Sequence, residues 1–261
     1  MGILPQELLD MVIDQLADCE PPPGPPVGIS HYSTVSRQWV ARSQKHHFER
    51  VRFSGPGDLG KWCRTIEPDP SGVSRHVREA HFSTINCADL ERFSEHIRAF
   101  TNIEEVILTG ECGILLSPSV VESLAPLGSN LVRLKIIETS TTPRIITSLL
   151  ATLPCLRQLR AHRLDVRDGC NTAELPPGVP FFRDANSLDL CLGNDTPGSF
   201  DWIPPSARFR ELWIDRYCIG SGRAKQWIAS SSGCLKFLGI KGHPRGGSLT
   251  SLARRRFLPL L

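Results

Sequence analysis

No apolar run in the 261 residues approaches the roughly 20 that span a bilayer, so no membrane association is expected. The start, "MGILPQELLD", carries acids and a proline where a secretion signal needs basic residues and a smooth apolar stretch. Gln6 stands where N-myristoylation requires Ser or Thr. The nine cysteines include no C-x-x-C pair, and their odd number and even spread are the usage of small buried hydrophobes in a reducing compartment. A cytoplasmic and/or nuclear location is therefore expected, with the sequon at Asn194 unused. The eight histidines form no H-E-x-x-H, and His46-His47 has no cysteine or carboxylate at metal spacing, so no metal is expected. A G-x-S-x-G elbow is missing, and nothing in the order of residues brings two carboxylates together. An excess of either charge is lacking as well: a net charge of +3 and a pI near 8.4 offer little to a nucleic acid. The chain is expected not to be an enzyme and to need no cofactor.

Forty per cent of the residues are hydrophobic, enough for a real core. One stretch imitates a nucleotide site. "FSGPGDLGKW" (53–62) has Gly55, four residues, then Gly60 and Lys61, and it also has dinucleotide-like glycine spacing. A phosphate loop needs Ser or Thr after the lysine, and Trp62 is there. The dinucleotide reading needs an acid at the end of the next strand, which "VREAHFST" lacks, and Pro56 removes an amide. The expectation is a structural turn whose glycines serve chain reversal.

Internal repetition is the strongest signal. The pattern apolar-x-x-apolar-x-apolar occurs as "FERVRF" (48), "VREAHF" (77), "IEEVIL" (103), "LVRLKI" (131), "LRQLRA" (156), "ANSLDL" (185), "FRELWI" (209) and "LKFLGI" (235). These eight copies lie 29, 26, 28, 25, 29, 24 and 26 residues apart. Helix-like stretches lie between some copies: 86–100 has Leu90, Phe93, Ile97 and Phe100 at helical spacing, and 141–153 has Pro143 behind Thr141 or Thr142. Later connections, "ELPPGVPFF" and "DTPGSFDWIPP", are proline-rich and expected to be irregular. The fold class expected is α/β, with parallel strands and helices alternating. Residues 48–242 resemble the leucine-rich repeat family, which implies a curved parallel sheet in a solenoid. The asparagine usual after the strand is absent from most copies, and Glu111, Thr139 and Tyr217 stand near that place.

The N-terminal segment has its own pattern. "LPQELLDMVIDQL" (4–16) puts Leu8, Leu9, Val12, Ile13 and Leu16 on one helical face, with Asp10 and Asp14 opposite. "PPPGPP" (21–26) breaks the chain, and a second helical piece (31–48) carries Tyr32, Val35, Trp39 and Phe48. Leu4-Pro5, "VSRQW" and "RSQKHHF" together resemble an F-box of the kind that opens many fungal proteins. The division expected is a helical module over 1–47 and repeats over 48–261. The resemblance implies docking onto a Skp-family adaptor of a cullin complex through Leu4, Pro5, Leu8, Ile13, Leu16, Val35 and Trp39. It further implies that the repeats hold a protein substrate for ubiquitination. The alternatives are a stand-alone repeat scaffold without a ligase role, and a helical cap in which those residues are plain core.

Alternation along the strands points one set of side chains into the core and the other to the opposite face. That second set is Arg50, Arg52, Glu79, His81, Glu105, Ile107, Arg133, Lys135, Gln158, Arg160, His162, Ser187, Asp189, Glu211, Trp213 and Asp215, so the centre is expected to be basic and the C-terminal side acidic around one exposed tryptophan. The expected substrate surface runs from Arg133, Lys135 and Arg160 to Trp213, because Arg and Trp most often dominate interfaces. The same charges are also what a solvated sheet face carries. Arg254-Arg255-Arg256 reads either as a nuclear signal or as the solvated side of a last helix.

Overall fold

The structure, a computed structural model, describes residues 5–18, 37–66, 72–83, 97–110, 116–166, 179–182, 186–192, 202–215 and 222–241. Two helices come first, α1 (Gln6–Asp18) and α2 (Arg37–Glu49), and α2 passes directly into β1 (Arg50–Phe53). Next come α3 (Pro56–Ile66), β2 (Glu79–Ser83), β3 (Glu105–Thr109), α4 (Pro118–Leu124), β4 (Arg133–Ile137) and β5 (Ser140–Thr141). The rest is α5 (Pro143–Thr152), β6 (Gln158–Val166), β7 (Asn186–Leu192), β8 (Phe209–Asp215), α6 (Gly222–Ser231) and β9 (Phe237–Lys241).

All the strands pair in parallel, in the order β1-β2-β3-β4-β6-β7-β8-β9, with β5 against the far end of β6. Each of the eight apolar hexamers contributes one strand of that path. The register follows the repeat: Arg50, Glu79, Glu105, Arg133, Gln158, Ser187, Glu211 and Phe237, the third residue of each copy, lie side by side. A one-residue slip would turn every apolar side chain to the wrong face, so burial enforces this alignment.

The fourth and sixth positions of the first seven copies form the core, whereas in the eighth Leu238 is half-buried and Ile240 is 47% exposed. Val51, Phe53, Ala80, Phe82, Val106, Leu108, Leu134, Ile136, Leu159, Ala161, Leu188, Leu190, Leu212 and Ile214 are buried in one cluster. The helices bring Val120, Leu124, Ile146, Leu149, Leu150 and Trp227 to the same cluster. Helix α5 starts as its sequence predicts: Pro143 is in the first turn and Thr142 Oγ1 accepts the Ile145 N–H at 3.4 Å. Most of the helix expected over 86–100 lies outside the described residues, as do Tyr32, Glu111, Tyr217 and Arg254–Arg256.

The short strand β5, off the main path, has a backbone cause. Glu138 and Arg163 take left-handed φ values of 54° and 52°, uncommon for residues other than glycine. They occupy equivalent places 25 residues apart and form an ion pair with each other. Each kink redirects the chain after the main strand, and Ser140–Thr141 then pairs with Asp165–Val166. Buried Thr139 donates its hydroxyl to the Ile137 carbonyl at 2.9 Å, while its own carbonyl accepts the Asp165 N–H at 2.9 Å. Asparagines do link repeats, but at the strand entrance. Asn102 Nδ2 donates to the Arg75 carbonyl at 2.6 Å, and Asn130, 28 residues later, donates to the Thr101 carbonyl.

The "GPGDLGKW" stretch is a helix start, not a glycine loop. Helix α3 begins at Pro56, and Asp58 Oδ2 accepts the Ser54 N–H at 3.1 Å. Lys61 Nζ lies 3.2 Å from Asp58 Oδ1, its charge turned to its own helix. The expectation that the glycines serve chain reversal is corrected. A Cβ at Gly55, Gly57 or Gly60 would meet nothing within 4 Å, and none of them has a left-handed φ.

Candidate functional site

Two surfaces hold the residues singled out from sequence. The first is α1. Its apolar residues divide between two adjacent faces. Ile13 is fully buried and Leu9 is 8% exposed, both within the chain's own packing, while Leu8 is 45%, Met11 61% and Val12 47% exposed. Leu8, Met11 and Val12 stand at i, i+3 and i+4, so they are neighbours on one helix face. This corrects the adaptor assignment of Ile13, whose side chain is already used in the module's own core. Pro5 is exposed, Leu16 and Trp39 are half-buried, and Leu4 and Val35 lie outside the described residues.

A polar clasp holds α1 to α2. Arg42 Nε donates to Asp14 Oδ1 at 2.7 Å and its Nη2 donates to the other carboxylate oxygen. His46 Nε2 is 2.7 Å from Asp14 Oδ1, and its Nδ1 is 3.4 Å from Glu49. Hydrogen bonding from Arg42 pulls the Asp14 carboxyl well below the usual range against the opposing effect of burial. Asp14, expected opposite the packing face, is thus the centre of the helix–helix contact. The clasp sits beside an aromatic chain that joins the helices to the repeats. Phe48 and Phe53 each meet Trp62 edge-on at 5.9 Å, Trp62 meets Phe100 at 6.0 Å, and Phe53 stacks on Phe82 at 4.9 Å.

The second surface is the polar face of the sheet. Register places Arg52, His81, Ile107, Lys135, Arg160, Asp189, Trp213 and Gly239 in one row across eight strands. Arg133 belongs to the adjoining row. All four expected substrate contacts, Arg133, Lys135, Arg160 and Trp213, therefore share one face, and Trp213 is not buried.

The expected basic centre is corrected in one respect. Glu105, 6% exposed, lies between its cations: Lys135 Nζ is 2.5 Å from Oε1 and Arg133 Nε 2.7 Å from Oε2. The Arg133 and Lys135 contacts are ion pairs without aligned hydrogen bonds, since Arg133 Nε and Glu105 Oε1 lack a bonding partner of good angle. Glu105 neutralises much of that patch and lies close enough to Glu79 to matter. Burial, then Glu105, raise the Glu79 carboxyl above its ordinary value. His81, within 2.9 Å of Thr109 Oγ1, is pushed down by burial, then by Arg52 and Lys135, which favours its neutral form. Aligning the repeat copies would have shown Glu105 beside Arg133, so this clamp had a sequence signal.

Arg160 differs from its neighbours. It is exposed, and no described residue pairs with it. Two strands away, Trp213 lies along Gly239 so closely that a Cβ there would sit 2.1 Å from its ring. Phe237 packs on the same indole with ring centroids 4.6 Å apart. Asp189 stands between Arg160 and Trp213 in the row, 8% exposed and 3.8 Å from His162. Glu211, exposed, accepts the Ser187 hydroxyl at 3.2 Å.

Among the described residues no group of three or more His, Cys, Asp or Glu is placed to hold a metal ion, and no helix is long and apolar enough to cross a membrane. No model of a known protein family matches the chain, and no curated protein matches it in sequence.

Proposed function

We propose that this protein is the substrate-recognition subunit of a cullin-type ubiquitin ligase. In this reading the helical module docks on a Skp-family adaptor, and the sheet's polar face holds a protein substrate. The observation that carries it is the exposed trio Leu8, Met11 and Val12 on the helix that resembles an F-box. Packing within the chain accounts for α1 through Leu9 and Ile13, which are buried, and leaves the trio unused. Three further large apolar residues exposed on the adjoining face are what a partner surface requires. The in-register strands at 24–29-residue spacing support a leucine-rich-repeat-like solenoid for the second part. The protein then performs no chemistry of its own and works in the cytoplasm and/or nucleus.

A purified-component pull-down with a Skp-family adaptor tests the reading. The full chain should retain the adaptor and the Met11→Asp, Val12→Asp chain should not, because docking would bury unpaired carboxylates. Absence of a complex with the unaltered chain would favour the stand-alone scaffold instead.

A further inference from the structure

The polar face carries two unlike binding elements at a fixed spacing. Arg160 offers an exposed guanidinium fork, suited to a carboxylate. Trp213 and Phe237 form an aromatic shelf, anchored on Gly239, with exposed Glu211 beside it in the adjoining row. Asp189 stands between the two elements, beside Arg160 as well as beside the indole, so it favours neither. An aromatic face beside the Glu211 carboxylate attracts a cation, most favourably a Lys or Arg side chain. Arg160 and Trp213 lie on β6 and β8, with β7 between them. Two strand spacings are roughly 10 Å. A polyproline II segment advances about 3.1 Å per residue with three residues per turn, so residues three apart lie on the same side of it, about 9 Å from each other.

We propose that the polar face binds an extended peptide segment in polyproline II conformation that crosses β6 to β8. An acidic residue of that segment pairs with Arg160, and a basic residue three positions away lies on the Trp213–Phe237 shelf beside Glu211. The proposal deepens the substrate half of the function above by naming the chemistry of the segment. It contrasts with β3 and β4, where Glu105 already occupies Arg133 and Lys135. Those strands therefore offer a partner less uncompensated charge than β6 does.

The test uses the full chain and an immobilised library of unstructured peptides in a Ser/Ala background. Each peptide carries one acid and one base, in either order, at separations of one to six residues. Peptides with a three-residue separation should bind about two- to fivefold better than the other separations, the range a single exposed cation–aromatic contact provides. Arg160→Glu should reverse the preference at the acidic position while keeping the basic one. Trp213→Ala should remove the basic preference and keep the acidic one. Since either variant could disturb the sheet, Glu211→Lys, at an exposed site, provides a second route: it should turn selection at the basic position toward acids. Binding without regard to charge or separation would overturn the proposal, and so would preferences that none of the three variants changes. Adaptor retention is read separately on the same variants. Its loss with peptide selection intact would count against the ligase reading alone.

Discussion

Replacing Ile13 by Ala and Leu8 by Ala, separately, distinguishes the two faces of α1. Ile13 is fully buried, whereas Leu8 remains 45% exposed. Truncating a buried isoleucine removes its transfer free energy and leaves a cavity, costing about 2–5 kcal/mol. A two-helix module can relax around the gap, so about 2 kcal/mol is the sensible figure. At 1.4 kcal/mol per decade, that is about a 25-fold rise in the equilibrium for opening α1. Leu8→Ala changes a partly solvated site and should stay within about 0.5 kcal/mol, or about twofold. Native-state amide exchange reads this directly, since α1 amides report local opening. The expected result is about 25-fold faster exchange across α1 in Ile13→Ala and nearly unchanged exchange in Leu8→Ala. Amides of β4, remote from the module, serve as the internal reference. Equal acceleration by both substitutions would refute the division of α1 into an inward and an outward face.

The clasp predicts a pH dependence. Arg42 holds the folded-state Asp14 carboxyl below its unfolded value, which lies near 3.9. Its stabilisation is therefore fully present above about pH 4 and is lost as pH falls through the lower folded-state value. Protection of α1 should thus persist at pH 5 and decline on acidification below about 4, and Asp14→Asn should flatten that decline. At the aromatic shelf, Gly239→Ala forces a Cβ to 2.1 Å from Trp213, so it should cost about 1–3 kcal/mol in denaturant unfolding and shift the tryptophan emission. Asn102→Ala and Asn130→Ala should each cost about 1 kcal/mol, with effects in the double variant that do not add, because Asn130 bonds the Thr101 carbonyl of the peptide that joins Thr101 to Asn102.

The sheet was readable because its signal repeats. Each hexamer became a strand, and the third residue of each copy set the register, so the face shared by Lys135, Arg160 and Trp213 followed from alternation alone. The clasp was less accessible. Asp14, Arg42 and His46 are 28 and 32 residues apart in sequence, across a connection that carries no pairing signal. Helical periodicity placed Leu8, Leu9 and Ile13 together, but a stripe that wide meets two surroundings, and only tertiary packing shows which residues turn inward. The left-handed turns at Glu138 and Arg163 were invisible because neither residue type advertises a positive φ. The glycines of "GPGDLGKW" misled in the opposite direction, since glycine permits such a turn without requiring it.

Calorimetric titration of a purified Skp-family adaptor into the full chain tests the central claim most directly. The account predicts saturable binding with one adaptor per chain. It also predicts that Leu8→Asp weakens binding at least about tenfold, since an unpaired carboxylate would be buried at the contact. Arg160→Glu, on the sheet's polar face, should bind the adaptor as the unaltered chain does. No binding by the unaltered chain, or equal binding by Leu8→Asp, would contradict the assignment of α1 as the docking surface.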